Sequence, residues 1–150
     1  MSVTVDIAEA VKDLLNAGVT AGTFAPFTFA AERTYDAPRD LESIQDLIVL
    51  VMASAEQQSA ASRDRNNFLV TIQTAVCKRV DAAELANTEI DKLQDLVQNI
   101  NDTCRHPLTT LGAGWQASRR SPIYDAEKLQ THGLFLSVTE HDYILTRRVP

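Results

Sequence analysis

The sequence predicts an α+β fold over residues 1–150 as a single domain. It has a mostly antiparallel sheet, two main helices packed on one face, and a long β-ribbon arm. Three observations carry that prediction. Apolar residues recur at helical spacing in two stretches near residues 7–15 and 90–104. Two strand-like runs, Leu47–Ser54 and Phe68–Val80, are separated by a polar interval with no large apolar side chain, Glu56 to Asn67. A last alternating run closes the chain, with Leu134, Leu136 and Val138 on one parity.

The first helix is expected from about Thr4 to Ala17. Ile7, Val11, Leu14 and Leu15 make one apolar face. Ser2 or Thr4 is a candidate cap, Asp6 suits the first turn, and Gly18 suits the C-terminal stop. Phe27 to Tyr35 reads as the first strand, bracketed by Pro26 and Pro38. Asp36 to Ser43 reads as loop.

Leu47 to Ser54 is apolar on both parities, so such a strand needs cover on both faces. The chain's helices can supply one cover; a second layer or a neighbouring subunit would supply the other. Phe68 to Val80 is expected to pair with it antiparallel, leaving Glu56–Asn67 as the tip of a projecting polar arm. Thr71, Gln73 and Arg79 make one face of that second strand wetter.

The second helix follows from Ile90, Leu93, Leu96, Val97, Ile100 and Cys104 on one stripe, with Asn87 or Thr88 as cap. His106-Pro107 ends it, because the residue before proline avoids helical angles. Gly112-Ala113-Gly114 marks a turn, Trp115–Arg120 a short strand, and Ser121–Asp125 a loop. The final strand over Leu134–Thr139 can continue through Tyr143, Ile144 and Leu145.

The net charge is −6, and it is uneven. Residues 1–60 carry nine acids against three bases, whereas residues 61–150 carry eleven of each. Bases come in pairs: Arg63/Arg65, Lys78/Arg79, Arg119/Arg120 and Arg147/Arg148. Acids gather at Asp81, Glu84, Glu89, Asp91, Asp95 and Asp102. Such separation allows contact between identical subunits, positive patch to negative patch, and equally suits ordinary solvated surface. An isoelectric point near 5.0 argues against a general nucleic-acid footprint. No run reaches the length of a transmembrane helix, and the N-terminus lacks a secretory pattern.

Catalytic patterns are sparse. The chain has no Gly-x-Ser-x-Gly elbow, dinucleotide fingerprint or phosphate-binding glycine loop. Cys77 and Cys104 fit no zinc spacing; two buried reduced thiols are expected, with a disulfide left open. Glu140-His141-Asp142 is the one inviting cluster for a metal or ligand. On a strand, however, His141 points away from the face that Glu140 and Asp142 share. No catalytic, cofactor-binding or metal residue is assigned, and an enzyme is not expected.

Several segments resemble a family of small virion proteins of tailed phages and prophages. They are Phe29-Ala30-Ala31-Glu32-Arg33-Thr34-Tyr35, Ala60-Ala61-Ser62-Arg63-Asp64-Arg65-Asn66-Asn67-Phe68, Trp115, Ser121-Pro122-Ile123-Tyr124, and the final strand. In order and spacing they are similar to neck or tail-completion proteins, tail terminators among them. The resemblance implies an α+β subunit that forms a head-tail joining ring, typically of six copies, between tail tube protein and head connector or neck protein. DNA would pass through its lumen without specific binding, repelled by an acidic lining. The implied location is the virion, assembled in the bacterial host cytoplasm, with no membrane partner. The family brings no catalytic residues. Head-to-tail ring contacts join unlike surfaces, and the expected interface residues are Arg63, Arg65, Asn66, Asn67, Arg119 and Arg120.

Overall fold

A computed structural model describes residues 2–35, 44–80 and 87–148. In chain order the elements are α1 (Val3–Thr20), β1 (Glu32–Arg33), β2 (Ile48–Ser62), β3 (Arg65–Arg79), α2 (Asn87–Cys104), β4 (Gly114–Arg119), α3 (Ala126–His132) and β5 (Leu134–Arg148). The five-stranded sheet has the order β1-β2-β3-β5-β4. Every pairing is antiparallel except β1 with β2, which is parallel. The α+β prediction with a mostly antiparallel sheet holds.

Residue alternation explains the layers. Val49 and Val51 of β2, Val70, Ile72 and Val76 of β3, and Phe135, Tyr143 and Leu145 of β5 share one sheet face. Against it lie Val3, Ile7, Ala8, Val11 and Leu15 of α1, with Leu93, Leu96, Val97, Ile100 and Cys104 of α2. Each large side chain in this layer contributes on the order of 1.5–3 kcal/mol. The Tyr143 hydroxyl donates to the Cys104 carbonyl at 2.6 Å, satisfying one of the carbonyls orphaned at the end of α2. The opposite face carries two smaller clusters, Ile44 with Cys77 and Leu134, and Leu50 with Met52 and Ala75. Both cysteines are free and buried, one on each side of the sheet. Burial pushes the Cys77 thiol up to about 11 and the Cys104 thiol up to about 12.

Four expectations need correction. Helix α1 does not stop at Gly18 but runs to Thr20. Gly18 is there for packing: a Cβ on it would come within 2.6 Å of the Phe24 ring. The predicted strand Phe27–Tyr35 shrinks to Glu32–Arg33. Here α1 takes the backbone instead, because the Asn16 amide accepts from the Ala31 N–H at 2.7 Å and donates to the Ala31 carbonyl at 3.2 Å. Helix α3 was unforeseen. Asp125 caps it by accepting from the Lys128 N–H, and Gly133 ends it at φ 62° in the left-handed region. Finally, β5 reaches Arg148, well past Leu145. The expected Asp36–Ser43 loop, and the acids Asp81 and Glu84, lie outside the described residues.

Candidate functional site

Glu56 to Asn67, expected as a projecting polar tip, is strand almost throughout. Strands β2 and β3 stay paired down to Ser62↔Arg65, and only Arg63 and Asp64 form the turn. The Ser62 hydroxyl donates to the Asp64 carboxylate at 3.0 Å across that turn. Bulges at Ser54 and Ala61 interrupt the register. The polar composition therefore marks exposure, not a change of backbone state. All ten residues from Ala53 to Ser62 are exposed, on both parities.

The body follows the other two strands further than it follows β2. Phe68 packs against the main core, Leu145 belongs to it, and Arg147 bonds Asp6 of α1 at 2.8 Å. So the ribbon does not project as a whole; the distal half of β2 overhangs. It is also a free edge. Strand β1 covers only Leu50 and Val51. Among the described residues no backbone group outside β3 bonds the segment from Ala55 to Ala60. Unpaired strand edges of this length are templates for another strand, and the usual safeguards of proline or lysine are absent here.

The six expected interface residues separate into two groups. Arg63, Arg65, Asn66 and Asn67 meet at the turn end. Arg63 and Arg65 are exposed and make no ion pair among the described residues. Asn67 accepts from the Thr146 hydroxyl at 2.7 Å, and Arg148 approaches Asp64 at 3.6 Å. Arg119 and Arg120 lie on the opposite sheet edge, at the end of β4. There they diverge. Arg119 bridges Glu140 and Asp142, each at 2.7 Å. Its charge is favoured first by the Asp142 hydrogen bond. Arg120 has a buried Nη1 with no partner among the described residues, and desolvation lowers its pKa. It lines a cleft of about 330 Å³ between α2 and β4, together with Asn101, Arg105, Trp115 and Ser118. The Asn101 Oδ1 is also buried and without a partner among the described residues.

Strand alternation splits Glu140-His141-Asp142 as expected. His141 enters the helix-covered side, wholly buried, between the Thr74 hydroxyl at 3.0 Å and the Ser118 hydroxyl at 2.7 Å. The Trp115 indole N–H donates to the same Ser118 oxygen at 2.8 Å. Desolvation lowers the His141 pKa to about 4, with Asp142 opposing that shift. Across the sheet, Thr71 donates to Asp142 at 2.7 Å and Gln73 to Glu140 at 3.2 Å. Burial raises the Asp142 carboxyl, but hydrogen bonds from Arg119 and Thr71 outweigh it and leave the group below its usual range. Among the described residues no group of three or more His, Cys, Asp or Glu side chains could hold a metal ion. Thr74 and Ser118 were not singled out from sequence, and Thr71 and Gln73 were read there only as the wetter face of β3. Only strand register places them beside His141, Glu140 and Asp142, and no spacing along the chain encodes it.

No protein-family model matches this chain, and no curated protein matches it. No described helix is long and apolar enough to cross a membrane.

Proposed function

We propose that this chain is a structural subunit of a tailed-phage or prophage virion, of tail-terminator or neck type. It assembles as a ring, with six copies as the working number, and joins the tail tube to the head connector. DNA passes through the lumen without specific contacts. The reading starts from the sequence resemblance, and one observation supports it above the rest. The distal half of β2 is ten residues of paired strand exposed on both faces, with one edge free. Such an edge is satisfied by water in the isolated chain and can exchange that water for the strand of another chain.

Electron microscopy and native mass spectrometry of the purified protein test this. Closed rings, or co-purification with virions, are the expected outcome. A monomer that forms no rings and is absent from virions overturns it. Flanking genes for capsid, connector or tail-tube proteins give an independent check.

A further inference from the structure

The two open edges of the sheet are complementary to one another. At the level of Ala55 and Glu56 the sheet is four strands wide, β2-β3-β5-β4, because β1 ends higher up. The three pairings there are all antiparallel, so β2 and β4 run in opposite directions. A second copy in the same orientation would therefore bring its β2 antiparallel to the first copy's β4. Repeated, that contact extends one antiparallel sheet from chain to chain. It is heterologous, the kind that closes into a ring when each step adds a rotation, which sheet twist supplies.

Level and side chains agree. Traced across the sheet, Gly114, Trp115 and Ala117 of β4 are level with Gln57, Glu56 and Ala55 of the free β2 edge. Ala55 pairs with Thr71, Thr71 with Asp142, and Asp142 with Ala117, which puts Ala55 and Ala117 level and on one face. Both are exposed and small, so nothing blocks close approach. On the other face, Glu56 is level with Trp115 through Val70 and Tyr143. Trp115 lies under the Arg105 guanidinium at 5.2 Å, in the cleft that also holds the unpartnered Arg120 Nη1. The one charge on the β2 edge is thus an acid, and it faces a cleft lined by three arginines, Arg105, Arg119 and Arg120. Asp102, 3.8 Å from Arg105, is the acid already there.

We infer that the free edge of β2, at Ala55 to Gln57, adds to the β4 edge of a second copy, with Glu56 entering the cleft beside Arg105 and Arg120. This rests on the ring reading and names its contact. The level pairing describes no stagger; a closed sheet introduces some, which shifts the register by whole pairs.

Cysteine crosslinking tests it. Ala117→Cys is mixed in turn with Ala55→Cys, Gln57→Cys and Ser59→Cys under mild oxidation. Cys77 and Cys104 are buried and do not compete. A disulfide between unlike chains at one register is expected, several-fold above the other two. No crosslink at any register overturns the pairing. Crosslinks confined to β2 cysteines of like chains overturn it also, in favour of a two-fold dimer. Rings seen without any β2–β4 crosslink leave the ring reading standing and remove this contact alone. As a second measurement, Glu56→Arg should weaken self-association at least ten-fold, and Glu56→Arg with Arg105→Glu should restore most of it. The unfolding midpoint should be unchanged in Glu56→Arg, an exposed site, whereas the double variant also gives up the Arg105 contacts with Asp102 and Trp115. Unaltered self-association in Glu56→Arg removes the cleft from the contact.

Discussion

Strand β2 contains two opposed halves. Ile48 to Met52 is apolar at every position, buried or nearly so, with β1 alongside and apolar clusters on both faces. Ala53 to Ser62 has the same backbone, the same partner strand and no cover. Antiparallel pairing therefore does not by itself bury side chains. Burial comes from the layers laid on the sheet, and these reach the distal end only over β3 and β5. One half of the strand is buried in the fold, and the other stays exposed.

Substitutions that separate the halves follow, from the largest expected effect. Ile72→Asp puts an unpaired charge at a position with no exposure, on the helix-covered face of β3. It should cost ~4 kcal/mol or more and abolish the cooperative thermal transition seen by circular dichroism.

His141 sits in the covered region and is held neutral there. Its folded pKa of about 4 lies below the ordinary imidazole value of 6.5, so the unfolded chain takes up the proton first. Its contribution is complete above pH 6.5 and is lost as pH falls toward 4, a loss of about 3 kcal/mol. Urea midpoints across that range should fall more steeply in the wild type than in His141→Gln. Equal slopes would show that the imidazole is not the group responsible.

Asp125→Ala removes the side-chain cap of α3, which packs near the start of β5 rather than at the overhang. About 1 kcal/mol should be lost, read as a lower urea midpoint. Smallest in stability is Arg63→Glu with Arg65→Glu, at exposed positions without ion pairs among the described residues. The unfolding free energy should move by less than ~0.5 kcal/mol, while assembly measured by light scattering weakens. Unchanged assembly would take the turn out of the contact.

Much of the covered region was legible beforehand. The helical stripes of α1 and α2 and the apolar run Leu47–Met52 each state their burial in their own periodicity. The antiparallel β2–β3 ribbon followed from two strands around one polar interval. Alternation was also enough to separate His141 from Glu140 and Asp142. The misses have a common cause. Gly18 reads as a stop because its use, room for Phe24, depends on a residue that folds back onto the helix. Phe27 to Tyr35 has strand alternation, yet Asn16 bonds the Ala31 backbone and only Glu32 and Arg33 pair with β2. Helix α3 is seven residues long, too short to show a periodicity, and its cap and its glycine become meaningful only as a pair.

The chain's own pattern determined the two long helices and the long strands, where apolar surface accumulates, and that Glu56–Asn67 meets water. Those properties are local, set by spacing and by side-chain chemistry within a few residues. Tertiary structure alone decided that β5 accompanies β3 to its end, that Arg119 is engaged while Arg120 keeps an unpartnered Nη1, and that β2 and β4 form opposite, oppositely directed edges. Each depends on strand order and register between residues tens of positions apart, and neither leaves a mark in the spacing of the sequence.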